Sequence, residues 1–104
     1  MTITLDAARQ FGKRYVGALN TGPDALAELL APDAEVGTDD APGGGLEALL
    51  AGTPPGRAWF RGASLDGEAM LARVRVLEPA GAREQVHRIT LDGGGRIATL
   101  RSRV

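Results

Sequence analysis

A chain of 104 residues with a formal charge of −1 is long enough for one domain with a single core, and its near-neutral balance argues against a generic polyanion binder. It has no cysteine, which excludes a disulfide framework and a thiolate metal site. No apolar run approaches the ~20 residues of a membrane helix, and Met1-Thr2-Ile3-Thr4-Leu5-Asp6 lacks the basic start and apolar centre of a secretion signal, so the expectation is a cytoplasmic protein without membrane contact.

The first element is an amphipathic helix from Leu5. At about 100° per residue, Ala8, Phe11, Gly12, Tyr15, Val16, Ala18 and Leu19 fall on the same half of the wheel as Leu5. Asp6, Arg9, Gln10, Lys13, Arg14, Gly17 and Asn20 take the other half. Thr4 or Thr2 can cap its start and Gly22 can end it. Tyr15 sits in the middle of the apolar stripe, so its hydroxyl must either find a partner inside the core or face a cavity. Pro23 and Asp24 open a second helix with Leu26, Leu29 and Leu30 on its buried face, and Pro32 stops it. Ala34-Glu35-Val36 reads as a short strand, residues 37–45 as a loop, and Leu46–Leu50 as one or two helical turns before the break at Gly52-Thr53-Pro54-Pro55-Gly56.

The rest is punctuated as strands: 57–65, 70–77, 83–91 and 96–104, separated by Asp66-Gly67, Glu78-Pro79-Ala80-Gly81 and Asp92-Gly93-Gly94-Gly95. Met70, Ala72, Val74 and Val76 share one face of their strand. Gln85, His87, Ile89 and Leu91 share one face of the next, and Ala98, Leu100, Ser102 and Val104 one face of the last. This alternation predicts an antiparallel meander with one face on a core, and helices followed by strands predict a single α+β domain over 1–104.

Two stretches carry a family resemblance. Arg14-Tyr15-Val16-Gly17-Ala18-Leu19-Asn20-Thr21-Gly22, followed by residues 26–36, resembles the opening of the nuclear transport factor two-like superfamily. That group includes ketosteroid isomerases, SnoaL-like polyketide cyclases and limonene epoxide hydrolases. Residues 86–97, Val86-His87-Arg88-Ile89-Thr90-Leu91-Asp92-Gly93-Gly94-Gly95-Arg96-Ile97, are similar to the family's last hairpin. The resemblance implies a cone, a curved antiparallel sheet wrapped around a long N-terminal helix, with an apolar pocket at its open end. It also implies a homodimer through the outer sheet face. Beside that family the chain is short, with the loss falling between Val36 and Arg57, which predicts a shallower pocket.

The resemblance places Tyr15 where the isomerases keep an oxyanion-hole tyrosine, a role that suits a buried phenol aimed at a developing enolate. It places His87, the only histidine, where they carry a protonated acid. A neutral imidazole can donate one hydrogen bond and accept another, so it can replace that donor or act near neutral pH as a base, although it departs from the isomerase pattern. Asp39 and Asp40 lie within one or two residues of the general-base position. The plainer alternatives are a core tyrosine, a satisfied half-buried histidine and two solvated carboxylates. With no second histidine and no cysteine, no metal site is expected, and no cofactor is implied.

The expected pocket lining is Phe11, Leu19, Val36, Met70, Ala72 and Val74, with Ile89, Leu100 and Val104 from the later strands. Trp59 and Phe60 point to opposite faces, and whichever faces inward joins that lining. Gly93-Gly94-Gly95 is a hairpin turn, because no helix follows to complete a phosphate site. Arg73, Arg75, Arg88, Arg101 and Arg103 recur on the polar sheet face without interleaved aromatics, which predicts no nucleic-acid binding and a solvated or dimer-facing surface. Charge is divided along the chain, with eight acids and three bases in residues 1–52 and five acids and nine bases in residues 53–104. The functional expectation is an enzyme of the ketosteroid isomerase or polyketide cyclase type, moving a proton beside a carbonyl or opening an epoxide on a small apolar substrate. The alternative is a non-catalytic ligand-binding or dimerisation module of the same fold.

Overall fold

The computed structural model describes residues 3–103. Helix α1 spans Leu5–Thr21, α2 Pro23–Ala27 and α3 Gly45–Gly52, and the strands are β1 Leu30–Thr38, β2 Ala58–Asp66, β3 Ala69–Glu78, β4 Gly81–Leu91 and β5 Ile97–Arg103. The strands form one curved, unclosed sheet in the order β1-β5-β4-β3-β2. β2 to β5 are the expected antiparallel meander, and β1 adds a fifth strand parallel to β5. No helix among the described residues is long and apolar enough to cross a membrane.

Helix α1 starts where its first free amide finds a side-chain acceptor: Thr4 Oγ1 takes the Ala7 N–H at 3.1 Å. It stops at Gly22, whose φ of 131° only glycine adopts without strain. The buried stripe is Ala8, Phe11, Gly12, Tyr15, Val16 and Leu19, the half predicted from periodicity. Gly12 is where α1 comes down on the sheet, since a Cβ there would run into the Phe60 ring. Asn20 anchors the other end, donating to Ala58 O at 2.8 Å and accepting from Ala58 N at 2.9 Å. The core between helix and sheet is closed by Met70, Ala72, Val74 and Val76 of β3, Ile89 of β4 and Leu100 of β5.

Three local expectations change. The second helix ends at Ala27, and Leu30 already pairs with Ile97 in β1. Pro32 is therefore inside a strand. It sits in the irregular stretch between Leu30 and Glu35 on an edge strand, where its missing N–H interrupts no ladder bond. In β5, Ile97 was expected opposite Leu100 but is fully buried. The register breaks between Thr90/Thr99 and Leu91/Ile97, so the extra residue Ala98 resets the alternation. The Gly93–Gly95 segment is the tight turn expected: Asp92 Oδ1 accepts the N–H groups of Gly94 and Arg96.

Candidate functional site

Tyr15 enters the core from the middle of α1 and His87 from β4, and both are fully buried. The phenol hydroxyl is hydrogen-bonded to His87 Nδ1, the rings meeting edge to face with centroids 5.4 Å apart. On the other side of the imidazole, Nε2 lies 2.8 Å from Gln85 Oε1, which also accepts from Thr53 Oγ1 at 2.8 Å. Gln85 Nε2 donates to the Gly52 carbonyl at 2.8 Å.

That last contact fixes the protons. A carbonyl only accepts, so the Gln85 amide nitrogen faces Gly52 and its oxygen faces Thr53 and His87. The hydrogen between His87 and Gln85 therefore belongs to Nε2, and Nδ1 is the acceptor that takes the Tyr15 hydrogen. Burial lowers the His87 pKa from 6.5 to about 4, so the ring is neutral at physiological pH. The same burial raises the Tyr15 phenol well above 10.

The geometry corrects the expected catalytic arrangement. Tyr15 and His87 do not look into a common hollow; they face each other, and neither lines the cavities at the edges of the core. The single hydroxyl hydrogen of Tyr15 is committed to His87, leaving none for an oxyanion. Asp39 and Asp40 are exposed and border a separate recess of about 400 Å³ with Thr38, Gln85, Ser102 and Arg103. Gln85 and Gly52 link that recess to the buried chain.

The open apolar space is at the other end of the helix. A cavity of about 510 Å³ lies between the first turns of α1, the β2–β3 turn, β3, β4 and the β4–β5 turn. Phe11, Met70 and Ile89 form its buried floor with half-buried Ile3 and Leu91, and exposed Gln10, Arg14 and Glu68 stand at its rim. The Arg14 guanidinium lies over the Phe11 ring, 5.7 Å from its centroid, which orients a cation beside an apolar floor. Asp92 also lines the cavity, with one carboxylate oxygen held by the turn.

Of the predicted lining, Phe11, Met70 and Ile89 meet at this cavity. Leu19, Ala72, Val74 and Leu100 are packed in the closed core instead. Val36 borders a shallow recess with Pro42 and Arg101. Trp59 is 56% exposed on the outer sheet face, and Phe60 is its inward neighbour. Val104 lies outside the described residues.

Sequence reasoning missed the parts played by Gln85 and Thr53. Gln85 left a signal, a second polar side chain on an apolar strand face two residues from His87. Thr53 left none, since it stands in the Gly-Pro break after α3. The rim residues Gln10 and Arg14 fall on the polar half of the α1 wheel; with Phe11 and Ala7 they form the (i, i+3, i+4) patch that the cavity uses.

No known protein-family pattern matches the sequence. No curated protein matches it significantly. Solved structures do match. A proposed polyketide cyclase from Sinorhizobium meliloti is 29% identical, over 86% of this chain and 90% of that one, with a TM-score of 0.66. A SnoaL-like protein of unknown function from Burkholderia thailandensis superposes with a TM-score of 0.73 over 97% of both chains at 15% identity. A de novo designed protein of the nuclear transport factor two fold covers 100% of this chain and 88% of its own, with a TM-score of 0.64 at 17% identity. The protein is thus an α+β domain in which a curved mixed sheet packs on one long helix. It has the fold of the nuclear transport factor two-like superfamily and resembles the SnoaL-like proteins within it. The chain spans 90% and 97% of these two natural structures.

Proposed function

We propose that this domain binds a small, largely apolar molecule with a polar end group, in the cavity beneath the first turns of α1. The observation that carries the reading is the cavity itself: about 510 Å³ with a floor of Phe11, Met70 and Ile89 and a rim of Gln10, Arg14 and Glu68. An apolar floor with a few converging polar groups is the usual composition of a small-molecule site. The test is an NMR titration with a steroid enone and with an anthraquinone. Saturable shifts at Phe11, Met70 and Ile89, with the His87 ring unmoved, support the proposal. A ligand that moves Tyr15 and His87 but not the Phe11 patch would falsify it.

A second reading, turnover by proton transfer next to a carbonyl or at an epoxide, is favoured by one observation: the 29% identity to the proposed polyketide cyclase. In this reading Asp39 or Asp40 acts as the base from the polar recess that Gln85 shares. Tyr15 and His87 would have to exchange their mutual bond for bonds to substrate. Enolisation of the steroid enone, followed by deuterium exchange and lost in an Asp39→Asn/Asp40→Asn variant, distinguishes this reading from simple binding.

A further inference from the structure

The polar recess bordered by Asp39 and Asp40 has a buried floor with bonding capacity to spare. That floor carries Gln85 and Ser102, only 3% and 5% exposed. Ser102 pairs with His87 of β4 on one side and with Thr38 of β1 on the other. The buried hydrogen bonds beside it run between Tyr15, His87, Gln85, Thr53 and Gly52. The Ser102 hydroxyl joins none of them and has no other partner among the described residues. Gln85 also keeps a hydrogen in reserve. Its oxygen accepts from Thr53 and His87, and one amide hydrogen goes to the Gly52 carbonyl, which leaves the second unused. Because those three bonds fix the amide, the unused hydrogen is pre-organised for an acceptor from outside.

Charge selects the rest of the ligand. Asp39 and Asp40 make no ion pair among the described residues. Of the nearby cations, Arg83 donates to the Gly52 carbonyl and lies 3.1 Å from Glu78. Arg103 is exposed and alternates with buried Ser102, which puts its side chain toward the outer face of β5. We propose that this recess binds a small hydroxylated amine of amino-sugar size. Its ammonium sits on Asp39 and Asp40, and one of its hydroxyl groups meets the Ser102 hydroxyl and the unused Gln85 hydrogen. The ammonium makes charge-assisted bonds that a neutral polyol cannot. A hard metal cation asks for six or more oxygen ligands, whereas Gln85 offers this recess only an N–H. The volume of about 400 Å³ lies within the range of small-molecule sites. The recess shares no residue with the apolar cavity beneath α1, and the proposal requires no turnover at Asp39 or Asp40.

The experiment is an NMR titration with three probes: glucosamine, glucose without the amine, and cyclohexylamine without the hydroxyls. Glucosamine should shift the Gln85 side-chain amide and the Ser102 backbone amide saturably and leave the Phe11 patch unmoved. It should bind about tenfold more tightly than either of the other two. In an Asp39→Asn/Asp40→Asn variant, whose changes are confined to exposed side chains, the preference over glucose should vanish. In Ser102→Ala the preference over cyclohexylamine should shrink severalfold while the thermal midpoint holds, because the hydroxyl has no internal bond to lose. Glucose bound as tightly as glucosamine would remove the carboxylates from the site. Cyclohexylamine bound as tightly would remove the floor. Shifts confined to the Phe11 patch, no saturable shift at Gln85 and Ser102, or a lowered midpoint in Ser102→Ala would each overturn the proposal as well.

Discussion

Two places along α1, one helical turn apart, have opposite fates. Tyr15 meets His87, and each satisfies the other; through Gln85 and Thr53 the chain of hydrogen bonds ends on the Gly52 carbonyl. Phe11 and Arg14 instead look onto open space with polar groups at its rim. The difference shows that a buried polar side chain is a reagent only while some of its bonding capacity is free. The Tyr15–His87 chain joins α1, β4 and the end of α3, so it specifies how those elements dock. The cavity is held by elements that would pack without it, and that leaves its rim able to serve a ligand.

Breaking the closed chain at its centre should have the largest effect. His87→Ala leaves the Tyr15 donor unpaired and Gln85 Oε1 with Thr53 as its one donor, opens a void, and should cost about 4 kcal/mol in urea denaturation. Acid attacks the same point. The folded-state pKa of His87 is about 4 against 6.5 unfolded, so its share of stability is complete above pH 6.5 and lost as pH falls toward 4. The full loss is about 3 kcal/mol at 1.36 kcal/mol per pH unit. Denaturation midpoints between pH 7 and 5 should fall in the native protein, and a His87→Gln variant should lack that slope. An unchanged slope would mean the ring is not buried as described.

Smaller changes sharpen the contrast. Tyr15→Phe leaves only the Nδ1 acceptor without a donor and should cost about 2 kcal/mol. Thr53→Val removes one of the two donors to Gln85 Oε1 and should cost about 1 kcal/mol. At the cavity the expectation reverses. Ala7 is exposed and lines the space, so Ala7→Phe should change stability by less than about 0.5 kcal/mol yet abolish the Phe11 and Met70 shifts in the ligand titration. Retained binding in that variant would place the ligand elsewhere.

What the sequence determined by itself was the local structure. The apolar stripe of α1, its Thr4 and Gly22 boundaries, the alternation in β3 and β4 and the Asp92–Gly95 turn depend on neighbours a few residues away, and periodicity and capping register those directly. Tertiary structure decided what required distant partners. Pro32 looks like a helix stop until β5 offers β1 an edge to pair with, and Ile97 looks solvent-facing until a bulge at Ala98 turns it inward. Tyr15 posed a choice between a partner and a cavity that no local pattern could resolve, because the group that answers it is 72 residues away. A hydroxyl's role follows from the atom it meets, and that meeting is made by the register of the sheet on the helix.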